Sequence, residues 1–170
     1  MITSAKLKEN EIIRECEKIR YDLDFMFYNG AYSSLPEIKN DTWSEHSFAS
    51  VNKKGELIGY IHYSIDRNSY NVTSLGAVNF KFKEDATTKY IFGRDLEQIV
   101  KDIFTKFGFN KISFGVYIGN PAEDSYDRIM KKYNGRIVGI MKNDNRLIDG
   151  KYYDYKMYEI LKDDFIKALK

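Results

Sequence analysis

A long helix followed directly by a strand is the feature that most constrains this fold. Apolar residues recur between Leu96 and Phe107 at spacings of three and four, and Gly108 follows them as a C-terminal cap would. The next segment, Lys111 to Ile118, is a compact strand. Because another strand precedes this helix, the order predicts a crossover connection and two neighbouring parallel strands.

The residues before this helix predict an antiparallel meander. Phe48 to Asn52 and Glu56 to Ile65 alternate as strands around the turn Lys53-Lys54-Gly55, and Tyr70 to Lys83 follows the turn at Asp66 to Ser69. Three antiparallel strands in succession therefore lead into the crossover.

The N-terminal third is predicted to hold one short strand, Ile2 to Leu7, and one helix. One face of that helix carries five apolar residues, and its end is expected near Asn29-Gly30. These residues are Ile12, Cys16, Ile19, Leu23 and Met26. Ala31 to Glu45 reads as a loop with room for one short helix.

The C-terminal part is predicted to begin with a helix opened by Gly119-Asn120-Pro121, with Asn120 as its N-cap. Arg136 to Met141 and Tyr152 to Leu161 then form a final hairpin. Lys162 to Lys170 ends the chain as a short helix or tail, and residues 1–170 are expected to form a single domain.

Composition restricts the partners. Lys and Arg number 27 against 25 Asp and Glu, the charge signs are mixed along the chain, and nucleic acid is not the expected partner. One cysteine and two histidines exclude a four-ligand zinc cluster, and no run of 18 apolar residues predicts a membrane span. We expect a cytoplasmic protein without a metal, for which a homodimer is allowed but not required.

The chain from about Glu56 to Ile160 resembles the GNAT superfamily of acyl-CoA-dependent N-acetyltransferases. The resemblance rests on GELIGYIHY, on the strand, loop and helix from Val72 to Gly108, and on KISFGVYIGNP followed by SYDRIMKKYNGRIVG. It implies an α+β fold in three layers: a mixed, mostly antiparallel sheet of about seven strands with helices on both faces. Its central parallel pair would be splayed apart for acetyl-CoA.

The resemblance also implies which residues contact acetyl-CoA. They are Val78, Phe80, Lys89, Phe92, Gly93, Arg94 and Asn120. The pyrophosphate would lie at the start of the helix predicted over 93–107, where free backbone N–H groups favour an anion. The family pattern Q/R-x-x-G-x-G/A is incomplete here, since Thr88 and Ile91 replace its first and middle positions. A solvated helix start is the alternative.

Two glycines and two polar residues each allow a functional and an ordinary interpretation. Gly76 and Gly115 lie inside strands and mark close approach by the cofactor or by neighbouring aromatic rings. Asn120 serves as a helix cap, a cofactor contact, or both. Tyr126 is either the acid that protonates the departing thiolate or a core aromatic residue.

The general base stays open at this stage. The stretch from Leu75 to Phe80 contains no carboxylate, and the candidates elsewhere are Asp41, Glu45, His46 and His62. Each of them is also readable as an ordinary cap, surface residue or strand residue.

Substrate binding is assigned to the segment between the first helix and the second strand. Its candidate residues are Tyr32, Asp41, Trp43 and Glu45. Carboxylates beside aromatic faces suit a cation, which predicts a small-molecule amine acceptor over a protein N-terminus. We expect direct attack by a primary amine in a ternary complex. The alternative is a non-catalytic GNAT-fold module that binds CoA or another small ligand.

Overall fold

The computed structural model describes residues 1–28, 34–39, 43–84 and 86–170. Seven strands form one sheet, in the order β1-β2-β3-β4-β5-β7-β6. The strands are β1 (Ile2–Ser4), β2 (Glu45–Val51), β3 (Leu57–Asp66), β4 (Asn71–Asn79), β5 (Lys111–Tyr117), β6 (Arg136–Arg146) and β7 (Tyr152–Leu161). The α-helices are α1 (Glu9–Ile19), α2 (Ala86–Thr105), α3 (Glu123–Lys132) and α4 (Lys162–Ala168), and single 3-10 turns cover Ala5–Lys8 and Leu23–Phe25.

The meander, the crossover and the final hairpin are confirmed. Neighbouring strands pair antiparallel throughout except β4 and β5, which are parallel and joined by α2. After α2 ends, Gly108 takes a φ of +75°, which only glycine adopts without strain, and so turns the chain into β5.

The two faces of the sheet bury different helices. On one face, α1 packs its apolar side, including Ile12 and Cys16, against Ala49 and Tyr60 of the sheet. The larger cluster on the other face joins the sheet to the remaining three helices, with Ile99 of α2 among its members. The predicted α+β fold in three layers is therefore confirmed.

Several predicted boundaries were wrong. The first helix ends at Ile19 instead of near Asn29-Gly30, and the chain continues through a 3-10 turn in which Asp22 Oδ1 accepts a hydrogen bond from the Asp24 backbone N–H. Strand β1 ends at Ser4 and β4 at Asn79, both earlier than predicted, whereas β6 continues to Arg146.

The start of α2 has the greatest consequence for the site. The helix begins at Ala86, seven residues before the predicted start at Gly93. Its first turn, Ala86 to Lys89, carries no large apolar side chain, and the apolar repeat that marks the helix in the sequence begins only later. Lys89 and Gly93 consequently lie within the helix and do not precede it.

Candidate active site

A cavity of about 740 Å³ opens between β4 and β5. The two strands share one register pair, Val72 with Ile112, at the beginning of both strands, and they diverge beyond it. Cys16 lines the cavity from α1 and Arg20 from directly after that helix, and Phe92 and Leu96 line it from α2. Because α1 and α2 cover opposite faces, the cavity passes through the sheet.

One stripe of α2 forms a wall of this cavity. Lys89, Phe92, Gly93 and Leu96 follow one another at helical spacings of three, one and three, and all four line the cavity. Lys89 makes no ion pair with any residue that the structure describes, and a Cβ at Gly93 would meet no atom within 4 Å. The stripe combines an unpaired cation with open space above the helix backbone.

Two residues assigned to the cofactor lie elsewhere. Arg94 points away from the stripe and pairs with Asp95 at 2.9 Å. Phe80 directly follows β4 and is buried in the α1-side core together with Val78, but only Val78 lines the cavity. Neither side chain lines the cavity, and a contact of Arg94 or Phe80 with the cofactor stays a prediction.

Asn120 reaches the cavity from the turn before α3. Its Oδ1 atom accepts a hydrogen bond from the Ala122 backbone N–H at 2.9 Å, and its backbone oxygen accepts one from the Glu123 N–H. Helix α3 starts at Glu123, so Asn120 shapes the preceding turn and is not the N-cap itself. A contact with the cofactor stays a prediction.

Tyr126 of α3 lines the cavity and is almost fully buried. Its ring packs edge-on against Phe114 at 5.2 Å and lies 6.3 Å from the Tyr158 ring. Burial raises the pKa of Tyr126 to about 12, so its hydroxyl keeps its proton at neutral pH. That hydroxyl makes no hydrogen bond to the described part of the chain, and therefore holds a proton that it can donate into the cavity.

The strand glycines are explained by side chains of neighbouring strands. A Cβ at Gly76 would overlap with the imidazole of His62, and one at Gly115 would overlap with the ring of Tyr155. Both rings line the cavity. The two glycines thus make room for cavity-lining rings beside the splayed strands, which favours the aromatic-ring interpretation of both positions.

The predicted substrate residues are dispersed. Tyr32 and Asp41 lie outside the described residues. Trp43 is 68% exposed, stacks under the Arg67 guanidinium at 4.9 Å and does not line the cavity, and its role in acceptor binding stays a prediction. Glu45 lies at the start of β2, where it accepts a hydrogen bond from Ser47 Oγ at 2.8 Å.

The two histidines separate onto opposite faces of the sheet. The ring of His46 is buried, and its Nδ1 atom lies 2.6 Å from the Tyr63 hydroxyl and 4.8 Å, centroid to centroid, from Phe107. His62 lies on the α1 face, stacked on Tyr60, and lines the cavity. Of the two histidines, only His62 is placed to act there.

Sequence reasoning missed the contribution of the chain after α1. Arg20, Asp24, Phe25, Phe27 and Tyr28 all line the cavity, although the helical spacing had placed this stretch on a longer α1. Asp24 pairs with Lys83, and Phe25 packs edge-on against Phe82 at 5.1 Å. The sequence did contain a signal for this: aromatic residues cluster beside Asp22 and Asp24, and they are more numerous than one apolar face of a helix accommodates.

Comparison with solved structures defines the fold class. Spermidine N-acetyltransferase from Vibrio cholerae, solved with CoA and spermine, matches with a TM-score of 0.71 at 16% identity, over 98% of this chain and 97% of that one. A ribosomal L7/L12 α-N-protein acetyltransferase in complex with CoA matches with a TM-score of 0.56 at 13% identity, over 71% of this chain and 64% of that one. No family model matches the sequence, and no curated protein does.

The chain therefore has the fold of the GNAT acetyltransferases. Its cavity occupies the opening between the two parallel strands, the place where the resemblance predicted acetyl-CoA to enter. Among the described residues, no helix is both long and apolar enough to cross a bilayer. The same residues contain no group of three or more His, Cys, Asp or Glu side chains that could hold a metal ion.

Proposed function

We propose that this protein transfers the acetyl group of acetyl-CoA to a primary amine by direct attack in a ternary complex. One observation carries the proposal: a single cavity passes between β4 and β5 and is lined by residues from both faces of the sheet. Two substrates can thus approach each other from opposite sides, and holding them together supplies much of the rate enhancement in such a reaction.

The α2 wall suits the phosphates of CoA. Lys89 supplies a positive charge within the first turns of the helix, where the macrodipole also favours an anion. Gly93 leaves the helix surface bare one turn later, which allows a phosphate or the pantetheine arm to lie close to the backbone. Lys89 and Gly93 are therefore suited to CoA, although the glycine pattern of the family is incomplete in this sequence.

Tyr126 is assigned the role of general acid. Cleavage of the thioester leaves a thiolate, and a protonated hydroxyl facing the cavity can neutralise it. The edge-on contact with Phe114 holds the ring, while the hydroxyl has no competing partner in the described chain. Burial keeps the Tyr126 hydroxyl protonated at neutral pH, so that its proton is present when the thiolate departs.

The acceptor is proposed to be a small-molecule amine such as a polyamine. Asp24 lies on the cavity wall among Phe25, Phe27 and Tyr28, which provides charge and aromatic faces for an ammonium group. The Vibrio cholerae enzyme, whose fold this chain shares, was solved with spermine, whereas the other neighbour acts on a protein N-terminus. With 27 Lys and Arg against 25 Asp and Glu, the chain has little net charge with which to attract a nucleic-acid-bound acceptor.

Free-thiol release from acetyl-CoA tests this function directly. A panel of polyamines, amino acids and aminoglycosides is compared with N-terminal peptides, each with a blank that lacks the protein. We expect thiol release with at least one small amine. Release only with peptides would refute the small-amine acceptor, and binding of acetyl-CoA without release across the panel would identify a non-catalytic module.

A further inference from the structure

His62 is a cavity-lining side chain whose imidazole nitrogens make no hydrogen bond to the described part of the chain. Its Nδ1 atom is enclosed and makes no hydrogen bond, the one such atom among the described side chains. Its Nε2 atom lies above Gly76, also without a hydrogen bond, and is not enclosed. Since His62 lines the cavity, Nε2 is the ring nitrogen that a bound molecule can reach.

The surroundings hold this ring in one place. The imidazole stacks on Tyr60 at 5.1 Å with an interplanar angle of 13°, and the missing side chain at Gly76 gives it the space it occupies. Buried polar atoms without partners are rare, because each costs free energy. If this strand position served only for packing, an apolar residue would fill it without the free-energy cost of the unpaired Nδ1 atom.

The surroundings of His62 favour a ring that is neutral at rest and able to accept a proton. Burial lowers the pKa of His62, and the Glu45 carboxylate on β2 opposes that effect. Burial raises the pKa of Cys16 to about 11 and of Tyr60 to about 12, and also raises the pKa of Tyr28. These three neighbours keep their protons near neutral pH.

The remaining titratable groups on the cavity wall are charged residues and three tyrosines. They are Arg20 from the C-cap of α1, Asp24 from the following 3-10 turn, Lys89 from α2, Tyr117 from β5, Tyr126 from α3 and Tyr155 from β7. Histidine is the side chain in this set whose ordinary pKa lies nearest to neutrality.

We propose that His62 is the general base that accepts the proton of the acceptor amine during acetyl transfer. The proposal rests on the function proposed above. As the amine nitrogen bonds to the thioester carbonyl carbon, the carbon–sulfur bond breaks, the surplus proton on nitrogen passes to His62 Nε2, and the departing thiolate takes a proton from Tyr126. Solvent then removes the proton from His62 and restores the proton on Tyr126.

The other candidate bases are less suited. The strand β4 carries no carboxylate along the cavity, and His46 lies on the opposite face with Nδ1 beside the Tyr63 hydroxyl. Glu45 does not line the cavity and instead accepts a hydrogen bond from Ser47. Its position suits a supporting role, in which its negative charge stabilises the imidazolium that forms on His62.

His62→Gln tests the proposal, with His46→Gln as the matched control. We expect His62→Gln to lower kcat about 10²-fold, the scale of a lost general base, with acetyl-CoA binding unchanged. The control is expected to keep kcat while its melting temperature falls, because it loses a partner of Tyr63. Free imidazole should restore activity to His62→Ala, whose shortened side chain leaves space for it, and should have no effect on His46→Ala.

The dependence of kcat on pH distinguishes a base from a residue with only a structural role, because loss of a structural residue would not change it. A base works when neutral, so kcat of the parent should fall as the pH drops through a value below 6.5, and this limb should vanish in His62→Gln with the same acceptor. If His62→Gln keeps both the parental kcat and the fall of kcat at low pH, the assignment of His62 as the base is overturned, whereas the proposed acetyl transfer is unaffected. A parent without transfer to any amine or peptide would overturn both.

Discussion

Val72 of β4 and Ile112 of β5 form the one register pair of the parallel strands, and beyond this pair the strands separate. Both side chains are fully buried in the larger core cluster. Core packing therefore holds β4 and β5 together at this end, and the gap between the strands at the other end can enclose a ligand.

Lys89→Ala and Arg94→Ala should differ in acetyl-CoA binding. Both cations are exposed on α2, but Lys89 lines the cavity without an ion pair, whereas Arg94 pairs with Asp95. We expect Lys89→Ala to raise the Kd for acetyl-CoA roughly tenfold, which corresponds to about 1.4 kcal/mol, and Arg94→Ala to leave it unchanged. Isothermal titration measures both, and equal effects of the two substitutions would contradict the position given to the α2 wall.

Gly93→Ala separates helix stability from ligand space. An alanine there meets no atom within 4 Å, so the free protein should gain about 1 kcal/mol from the better helix propensity. The stabilisation that acetyl-CoA adds should shrink at the same time, because the methyl group occupies the space proposed for the ligand. Melting curves with and without acetyl-CoA decide this, and an undiminished ligand effect would show that the space above Gly93 is not used.

Tyr126→Phe should act on turnover and Tyr158→Phe on stability. The Tyr126 hydroxyl has no hydrogen-bond partner in the described chain, so its loss should lower kcat about 10²-fold with little change in melting temperature. The Tyr158 hydroxyl donates to Asp127 Oδ1 at 2.6 Å, and its loss should cost about 1.5–3 kcal/mol while kcat is kept. Stability loss with full turnover in Tyr126→Phe would make that residue a core aromatic residue only.

Glu97 should make stability depend on pH below about 5. Hydrogen bonds from Lys132 and then Tyr133 lower the pKa of Glu97 from 4.5 to about 2. A carboxylate with a depressed pKa stabilises the fold above its unfolded value, and this contribution is lost as the pH falls through 4.5 towards 2. Glu97→Gln should therefore lose about 1 kcal/mol at pH 7, since water screens the pair, and chemical unfolding should show parent and variant converging near pH 2.

The sequence by itself determined the order of the elements and the parallel pair. Helical spacing from Leu96 to Phe107 and the compact strand after Gly108 come from local periodicity, which a single chain displays without its tertiary partners. Tyr126 and Asn120 could be assigned to the site because family resemblance marks their positions along the chain.

Only the tertiary structure decided which side chains meet in the cavity. The apolar repeat from Leu96 onward did not reveal the start of α2 at Ala86, which places Lys89 and Gly93 within the helix, and Arg94 pairs with Asp95 instead of lining the cavity. Trp43 does not line the cavity, and the Arg67 guanidinium stacks on its ring. His62 shows the reason most clearly: the sequence allowed it as a candidate base or as an ordinary strand residue, whereas its lack of hydrogen bonds within the described chain depends on Tyr60, on Gly76 and on the splay of two strands distant in sequence.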